Sequence, residues 1–364
     1  MKQISLSPIN VIIKDAKRGK IFILVDNKNR ENEGDLIIPA SKANSKSINF
    51  MAKHGRGLIC LALTKKQVDK LSLPLMSAVN KARMQTAFTV SIEAKKGITT
   101  GISAFDRAKT IKTAINKNSK KKDIVSPGHV FPLVARNGGV LERAGHTEAS
   151  VDISKLANLN PSSVICEVMN EDGRMARLDD LLKFGKKHNL KIASIEDLIS
   201  YRLKNEKFVF NVLNKKIKIN KVGIIDLTVF KNKLDGSEHY VLSRGKFNIR
   251  KSTRVRVISI NMKKGIEKVN DSLYLKSIKH LSKHNSFALI IIKNQILKKI
   301  KDDSVKSTNT LRYYGIGAQI IKDLKIKNMI LVSRSRKKII GLDGYGIKIT
   351  KQEIIKWKKK LIFV

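Results

Sequence analysis

Cysteine is scarce in this chain of 364 residues, which contains only Cys60 and Cys166. The two are far apart, and no Cys-x-x-Cys motif occurs. This scarcity argues against a disulfide framework and against a cysteine-based structural zinc site. A reducing cytoplasm is therefore the compartment we expect.

Long apolar runs are also lacking. The run Phe287–Ile292 is far shorter than the roughly 18 residues that a membrane-spanning helix needs. The N-terminal residues MKQISLSPIN contain no continuous apolar segment, so we predict neither a signal peptide nor a membrane partner. Hydrophobic residues make up 42% of the chain, as in globular proteins, and its length predicts two domains. We place them at residues 1–204 and 205–364.

Acidic residues are few, and 30 Asp and Glu stand against 74 Lys and Arg, which gives a net charge of +44. Residues 1–204 carry 36 basic and 19 acidic side chains, and residues 205–364 carry 38 and 11. Such a charge is typical of proteins that bind nucleic acids or other polyanions. The lysines are spread through both halves, however, so generic surface lysine encoded by an AT-rich genome is the alternative.

An acidic loop, RENEGD (Arg30–Asp35), lies between two apolar segments that we predict to be strands, Ile21–Asp26 and the LIIPA segment after Asp35. Glu31, Glu33 and Asp35 repel one another unless a cation or an arginine lies between them. Clusters of carboxylate oxygens suit Mg²⁺ or Mn²⁺. A charged hairpin tip without a ligand is the alternative.

A second motif, RNGGVLERAGHT (Arg136–Thr147), offers complementary groups. Arg143 and Thr147, with a glycine backbone between them, suit a phosphate monoester. His146, together with a carboxylate from elsewhere, suits a divalent metal. The two segments together predict a site for a metal and a phosphorylated sugar.

Several further residues are candidates. Glu167 interrupts the apolar strand Val164–Met169 and needs a partner there. His129 is one of only seven histidines. Cys60 follows the glycines of HGRG, which would let the backbone approach a ligand, although a small buried apolar role fits Cys60 as well.

The hydroxyl-rich turn GITTGISAFDRAKTI (97–111) is a weaker candidate for phosphate binding. Ser103 is placed to cap a helix that Asp106, Arg107 and Thr110 would open.

Elsewhere the periodicity predicts helices at 8–20, 45–53, 153–157, 177–188 and 195–204, and a strand at 87–94. Residues 208–219 and 222–229 alternate like strands. Residues 254–260, 273–283 and 287–292 follow a strand–helix–strand pattern, which indicates α/β alternation in the second half. We find no pair of histidines or cysteines in that half placed to hold a metal.

The motifs RENEGD, HGRGLIC, GITTGISAFDRAKTI, PGHVFPLVARNGGVLERAGHTEASVDI and CEVMNEDGRMAR together resemble those of 3,4-dihydroxy-2-butanone 4-phosphate synthase, a lyase of riboflavin biosynthesis. The resemblance covers about residues 6–203. It implies an α+β three-layer sandwich that acts as a homodimer, with active sites near the dimer interface. The implied reaction converts D-ribulose 5-phosphate to L-3,4-dihydroxybutan-2-one 4-phosphate and formate.

The resemblance also implies roles for individual residues. Glu31 and His146 would hold Mg²⁺ or Mn²⁺, which stabilises the enediolate. His129 and Glu167 would be catalytic and transfer protons. The substrate-binding positions would be Arg30, Glu31, Asp35, Arg143, Ala144, Gly145, His146 and Thr147, and the secondary candidates are Cys60, Asp106, Arg107 and Thr110.

The second half resembles GTP cyclohydrolase II in the block LRYYGIGAQIIKDL and in KIIGLDGYGI. That family holds zinc with three cysteines, whereas this half has none, and Asn261 stands at the first cysteine position. Thr310 replaces the catalytic aspartate two residues before Arg312, and Ser333–Arg336 replaces the TNNP turn. We therefore expect no zinc and a degenerate α/β domain, kept as a dimer scaffold, a docking surface or a weak nucleotide binder.

Two other functions stay open at this point. A bifunctional enzyme is disfavoured by the missing cysteines. A basic nucleic-acid-binding protein on an old enzyme scaffold predicts salt-dependent binding of DNA or RNA. It is disfavoured as the main role, because a binding protein has no use for Glu31, His146 and Glu167 together.

Overall fold

A computed structural model describes residues 6–28, 30–81, 84, 86–220, 222–247, 251–260, 271–293, 315–336 and 342–355. The chain divides into two units, Met1–Tyr201 and Arg202–Val364. Among the described residues, no helix is both long and apolar enough to cross a membrane.

The N-terminal unit contains one mixed sheet of seven strands. In chain order these are β1 (Phe22–Val25), β2 (Gly34–Pro39), β3 (Cys60–Thr64), β4 (Ile92–Ala94), β5 (Ile124–Ala135), β6 (Ser162–Glu167) and β7 (Ile192–Ser194). Their order in the sheet is β4-β5-β3-β6-β2-β1-β7. Strands β1 and β7 pair in parallel, as do β3 and β5, and the other pairs are antiparallel.

Among the described residues of this unit, seven helices accompany the sheet. They are α1 (Ile9–Lys17), α2 (Ser45–Phe50), α3 (Lys65–Lys70), α4 (Ala104–Ile115), α5 (His146–Leu156), α6 (Leu178–His188) and α7 (Ile195–Asn205). A π-helical turn, Met51–Gly55, extends α2, and short 3-10 turns occupy Ala40–Lys42, Lys121–Asp123 and Gly139–Leu141. Ser103 caps α4 as predicted, because its hydroxyl accepts a hydrogen bond from the Asp106 amide at 3.0 Å.

The helices cover both faces of the sheet. On one face, strand residues such as Leu36 and Val164 join a core cluster with Ile48 of α2, Ile111 of α4 and Leu181 of α6. On the opposite face, α5 packs across β2, β3 and β6, and α1 packs against α5. This arrangement of helices, sheet and helices confirms the α+β three-layer sandwich.

Two local predictions were wrong. The helix expected at 153–157 begins at His146, because its buried first turns carry polar side chains that apolar periodicity does not detect. The strand expected at 87–94 is regular only over Ile92–Ala94. Strand β5, which runs through Pro127, Gly128 and Pro132, was not predicted from the sequence.

The C-terminal unit contains a second mixed sheet. Its strands are β8 (Val209–Ile219), β9 (Gly223–Asn232), β10 (Glu238–Arg244), β11 (Thr253–Ile260), β12 (Phe287–Lys293), β13 (Asn328–Ser333) and β14 (Lys348–Ile354). Helix α8 (Ser272–Leu281) connects toward β12, and residues 315–323 are also helical. The order is β14-β13-β11-β12-β10-β9-β8, with a parallel half and an antiparallel half.

This unit confirms the smaller α/β domain, although strand β10 was not predicted. Asn261, Thr310 and Arg312 lie outside the described residues. These are positions from which we predicted the loss of GTP cyclohydrolase II activity.

Candidate active site

Asp26, at the end of β1, organises the acidic loop. Its Oδ2 accepts hydrogen bonds from Arg30 Nη1 at 2.8 Å and from the Glu31 amide at 3.1 Å, and its Oδ1 accepts one from the Glu33 amide at 2.9 Å. Arg30 Nη1 also contacts the carboxylate of Glu31. The guanidinium therefore lies between two carboxylates and offsets part of the repulsion that the sequence predicted.

Asp35 of β2 lies opposite Glu167 of β6 in the antiparallel register. Leu36 and Cys166, the neighbouring pair, belong to the core on the other face, so Asp35 and Glu167 point to the face that α5 covers. Burial raises the pKa of Asp35 well above its usual value, and the nearby Glu167 and Glu31 raise it further. Burial also raises the pKa of Glu167.

His146 is the first residue of α5 and lies beside this acidic group. Its Nδ1 is 3.9 Å from Glu31 Oε2 and 3.7 Å from Asp35 Oδ1. Its Nε2 is buried and has no hydrogen-bond partner. Burial is the main cause that lowers the pKa of His146, which favours the neutral imidazole that can ligate a metal.

These residues fit a divalent cation. Asp26, Glu31 and His146 each offer a ligand atom, and the three atoms lie within 4.8 Å of one another. An octahedral cation with bonds of about 2.1 Å needs neighbouring ligands about 3.0 Å apart, so small side-chain movements suffice. The structure thus brings the predicted ligands Glu31 and His146 together. It adds Asp26, which the sequence marked only as a carboxylate directly after an apolar strand.

Glu167 is held in position by the segment around Gly57. The Leu58 amide donates a hydrogen bond to Glu167 Oε2 at 2.9 Å. A Cβ on Gly57 would lie 2.7 Å from that Oε2 and 2.5 Å from the Glu167 carbonyl oxygen. The glycine of HGRG is therefore required by the close approach of Glu167.

Cys60 lies on the same face as Glu167, since it pairs with Ile165 in the neighbouring register. It is 2% exposed, and burial raises the pKa of its thiol. A buried, protonated thiol matches the small apolar role considered from the sequence.

His129 of β5 contacts Glu93 of β4, with its Nδ1 facing Glu93 Oε1. The His129 side chain is 44% exposed. A Cβ on Gly101, at φ +88°, would lie 2.8 Å from His129 Nδ1, so the hydroxyl-rich turn packs against this pair. Sequence reasoning missed Glu93, whose only signal is a carboxylate in a short alternating strand.

His129 and Glu93 are not bonded to the acidic group beside His146. Among the described residues, no hydrogen bond or ion pair joins this pair to that group.

The secondary candidates on α4 shape the same turn. Asp106 accepts hydrogen bonds from Thr99 Oγ1 at 2.7 Å, from the Thr99 amide at 3.1 Å and from the Gly101 amide at 3.1 Å. The Thr99 hydroxyl is the main cause that lowers the pKa of Asp106. Thr110 Oγ1 accepts a hydrogen bond from the Ala94 amide at 3.1 Å, and Arg107 Nε is buried without a hydrogen-bond partner.

Arg143 makes contacts within the protein. Its Nη1 donates to Glu148 Oε2 at 2.6 Å, and its Nη2 donates to Thr86 Oγ1 and to the Met84 carbonyl, both at 3.0 Å. Glu148, which is 1% exposed, was not predicted. Beside it, half-buried Ala144, the N-cap residue Gly145 and buried Thr147 lie at the start of α5.

The C-terminal unit contains a cavity of about 550 Å³. Arg256, Ser259, Ser333 and Arg334 contribute polar groups to its lining, beside apolar side chains such as Leu331. Burial lowers the pKa of Arg256 to about 10, and its Nε donates to Ser277 Oγ at 2.7 Å. The segment predicted to replace the TNNP turn, Ser333–Arg336, thus borders a cavity.

Comparison with known proteins agrees with both parts of the chain. The family model for 3,4-dihydroxy-2-butanone 4-phosphate synthase matches residues 10–201, and that for GTP cyclohydrolase II matches residues 211–353. The riboflavin biosynthesis protein RibBA of Aquifex aeolicus is 42% identical, over 98% of this chain and 94% of the relative.

Two solved structures are also similar. The two-domain synthase RibBX from A. baumannii is 38% identical with a TM-score of 0.81, covering 97% of this chain and 100% of that chain. A synthase in complex with two magnesium ions is 38% identical with a TM-score of 0.53, covering 55% of this chain and 98% of that chain. The chain therefore belongs to the 3,4-dihydroxy-2-butanone 4-phosphate synthase family of riboflavin biosynthesis and carries a GTP cyclohydrolase II-like domain after its synthase domain.

Proposed function

We propose that the synthase domain converts D-ribulose 5-phosphate to L-3,4-dihydroxybutan-2-one 4-phosphate and formate. The reaction needs no other reactant, because the five carbons of the sugar phosphate are divided between the four-carbon product and formate. The observation that carries this proposal is the convergence of Asp35, Glu167 and His146 beside Glu31. Such a group can hold a cation and move protons within one buried site.

Glu31 and His146 would hold the cation, Mg²⁺ or Mn²⁺, with Asp26 as a third candidate ligand. When bound, the cation would polarise the substrate carbonyl as a Lewis acid. Arg30 offsets part of the negative charge of Asp26 and Glu31 and would keep these two carboxylates together in the loop. A magnesium complex of a related synthase supports this choice of metal.

Glu167 is our candidate for proton transfer in the buried part of the site. Burial raises its pKa, and the Leu58 amide fixes the direction of its carboxylate. A carboxylate held this way can accept a proton from carbon and return it. His129 would transfer a second proton, with its ring oriented by Glu93.

The substrate phosphate would bind at the start of α5, where Gly145 precedes the first-turn amides, which helix geometry leaves without partners inside the helix. Thr147 and Arg143 would contribute a hydroxyl and a guanidinium, and Asp35 and Ala144 would border the sugar. Arg143 is already engaged by Glu148, so its share in phosphate binding requires one of its donors to turn toward the substrate.

We further propose functional domains at 1–204 and 205–364, a homodimer, and action in the cytoplasm. Nucleic-acid binding is not the main role, because the basic charge is spread over both halves and the acidic site is intact. A mobility shift at about 150 mM salt, where distant charges are screened, should show no complex with DNA or RNA.

The GTP cyclohydrolase II-like domain is proposed to be inactive on GTP. The family's zinc site needs three cysteines, and no cysteine follows Cys166. The residues present therefore do not fit that zinc site, and no ring-opening step is assigned to this domain. Zinc-dependent formate release from GTP would contradict the proposal and favour a bifunctional enzyme.

The decisive experiment measures formate release from D-ribulose 5-phosphate by the purified full chain, with Mg²⁺ and with EDTA. Turnover should require the metal and should fall by at least about 100-fold in Glu31→Ala and in His146→Ala. Asp69→Asn, at an exposed ion pair with Lys65, is the matched control and should retain full activity. No turnover by folded wild-type protein would refute the proposed reaction.

A further inference from the structure

Three potential metal ligands meet in the C-terminal unit. His280 lies in the last turn of α8 and His284 lies four residues later, with ring centroids 6.0 Å apart. Glu353 comes from β14, the edge strand of the sheet, and its Oε1 is 2.6 Å from His280 Nε2. One ligand atom from each of the three residues lies within 4.8 Å of the others.

The chemistry of this set differs from that of the synthase site. Two imidazoles and one carboxylate suit Zn²⁺ and other borderline transition metals, whereas Mg²⁺ prefers oxygen ligands. Tetrahedral Zn²⁺ with bonds of about 2.0–2.1 Å needs ligand atoms about 3.3 Å apart. The present spacing reaches that value if His284 moves inward and the direct contact between His280 and Glu353 opens slightly.

The surroundings of these three residues suit a metal site. All three residues are half-buried, which leaves an open position for water or another ligand. Glu353 Oε2 accepts a hydrogen bond from Arg254 Nε at 3.0 Å, which orients the carboxylate from behind. Arg254 and Lys283 are also nearby cations, so they reduce the affinity for a metal below that of a neutral site.

A second histidine pair in this chain provides a contrast. The rings of His54 and His188 are 4.7 Å apart, but they pack with Phe50 and Phe184. Within the described part of the chain, neither belongs to a group of potential metal ligands. Both histidine pairs are close together, so proximity alone does not identify a metal site. The carboxylate of Glu353 distinguishes the pair His280 and His284 from the pair His54 and His188.

We propose that His280, His284 and Glu353 form a binding site for Zn²⁺ or a similar transition metal in the C-terminal domain. From the sequence we expected no histidine pair placed for a metal in this half, and this expectation overlooked the spacing of four residues across a helix end. None of the three residues lines the cavity described above. The metal would join α8 to the edge strand β14, and it is distinct from the three-cysteine zinc site that the chain lacks.

The test uses the full chain without a histidine tag, freed of metal and then saturated with Mg²⁺, which competes for the synthase site. Calorimetric titration with ZnCl₂ should show a saturable site in the wild type. His280→Ala and His284→Ala should each weaken that site at least about 100-fold, whereas His188→Ala should leave it unchanged. Synthase activity should be equal in all of these proteins, which shows that the substitutions leave the synthase domain intact.

A spectroscopic measurement keeps the proposal testable if a variant fails to fold. Co²⁺ added to the wild-type protein should give the intense visible absorption of a four- or five-coordinate site, and ZnCl₂ should displace it. A wild type that binds no Zn²⁺, or a double variant His280→Ala/His284→Ala that binds it as the wild type does, would overturn the proposal. If zinc binds only in the synthase site, the double variant will bind it as the wild type does, and the proposal is overturned.

Discussion

Asp35 and Glu167 lie opposite each other on neighbouring antiparallel strands, and both are carboxylates with a pKa raised mainly by burial. A pair of this kind is unfavourable when both members are charged and no cation lies between them. The site is therefore arranged for a state in which a proton or a metal ion is present.

We predict that Asp35→Asn stabilises the metal-free protein at alkaline pH. A raised folded-state pKa means that the folded protein holds the proton more tightly than the unfolded chain does. The proton on Asp35 therefore stabilises the folded protein at low pH. This stabilisation is lost as the pH rises through the raised pKa. Above it, the substitution should add on the order of 1–3 kcal/mol to the free energy of unfolding, the usual cost of an unsatisfied buried group.

Thermal unfolding in EDTA between pH 5 and pH 9 tests this prediction. The difference between the variant and the wild type should grow with pH and should vanish when Mg²⁺ is added. Asp69→Asn is the control, because its carboxylate is exposed. Parallel pH curves for the wild type and Asp35→Asn would contradict the prediction.

Gly57→Ala should lower kcat strongly while it changes the unfolding midpoint little. The added Cβ would lie 2.5 Å from the Glu167 carbonyl oxygen and 2.7 Å from its Oε2, so the carboxylate must shift. A displacement of about 1 Å at a catalytic group can cost about 100-fold in rate. Gly317→Ala is a matched control, because its nearest neighbour would lie at an ordinary 3.5 Å. The measurement is kcat beside the unfolding midpoint, and unchanged kcat would show that Glu167 tolerates the shift.

Glu93→Gln should lower kcat by about 100-fold, less than His129→Ala does, while KM changes little. The carboxylate of Glu93 faces His129 Nδ1 and so selects the orientation and tautomer of the ring. An amide of the same shape keeps the packing but not the charge. Steady-state kinetics with Mg²⁺ tests this, and equal kcat in the wild type and Glu93→Gln would remove Glu93 from the mechanism.

Arg143 and Glu148 should be strongly coupled. Arg143→Met leaves the Glu148 carboxylate buried without its charged partner, which should cost about 3–5 kcal/mol. The double variant Arg143→Met/Glu148→Gln should recover part of this loss in urea unfolding experiments. If Arg143 also binds the phosphate, the double variant should keep a raised KM. Additive losses of stability would show that the two residues act independently.

The sequence predicted the overall fold well where burial follows a simple period. Ile9, Ile12, Ile13 and Ala16 recur at helical spacing and are all buried in α1. Helix α5 failed this test, because its buried side chains include Glu148, Ser150, Asp152 and Ser154. Glu148 and Asp152 accept hydrogen bonds from the loop before the helix, and the Ser154 hydroxyl donates to β6. These partners lie 8 to 12 residues away in sequence, and helical periodicity does not indicate them.

The predicted metal ligands also came together, since Glu31 and His146 are 3.9 Å apart at their nearest ligand atoms. The residues that support the site were harder to find. Asp26, Glu93 and Glu148 act through contacts whose geometry depends on register and on helix placement. A single sequence carries no measure of either.

Helix α5 joins the proposed phosphate site to the candidate metal site. Its Glu148 and Asp152, one turn apart, accept hydrogen bonds from the Arg136 amide at 3.1 Å and the Val140 amide at 2.8 Å, so they fix the loop before the helix. The same helix begins with His146, a candidate metal ligand. A shift of the helix along the sheet would therefore move the proposed phosphate-binding residues and the candidate metal ligand together. Substitutions under α5, such as at Val151, should therefore change metal affinity and substrate affinity together, so a mutation that tunes one also alters the other.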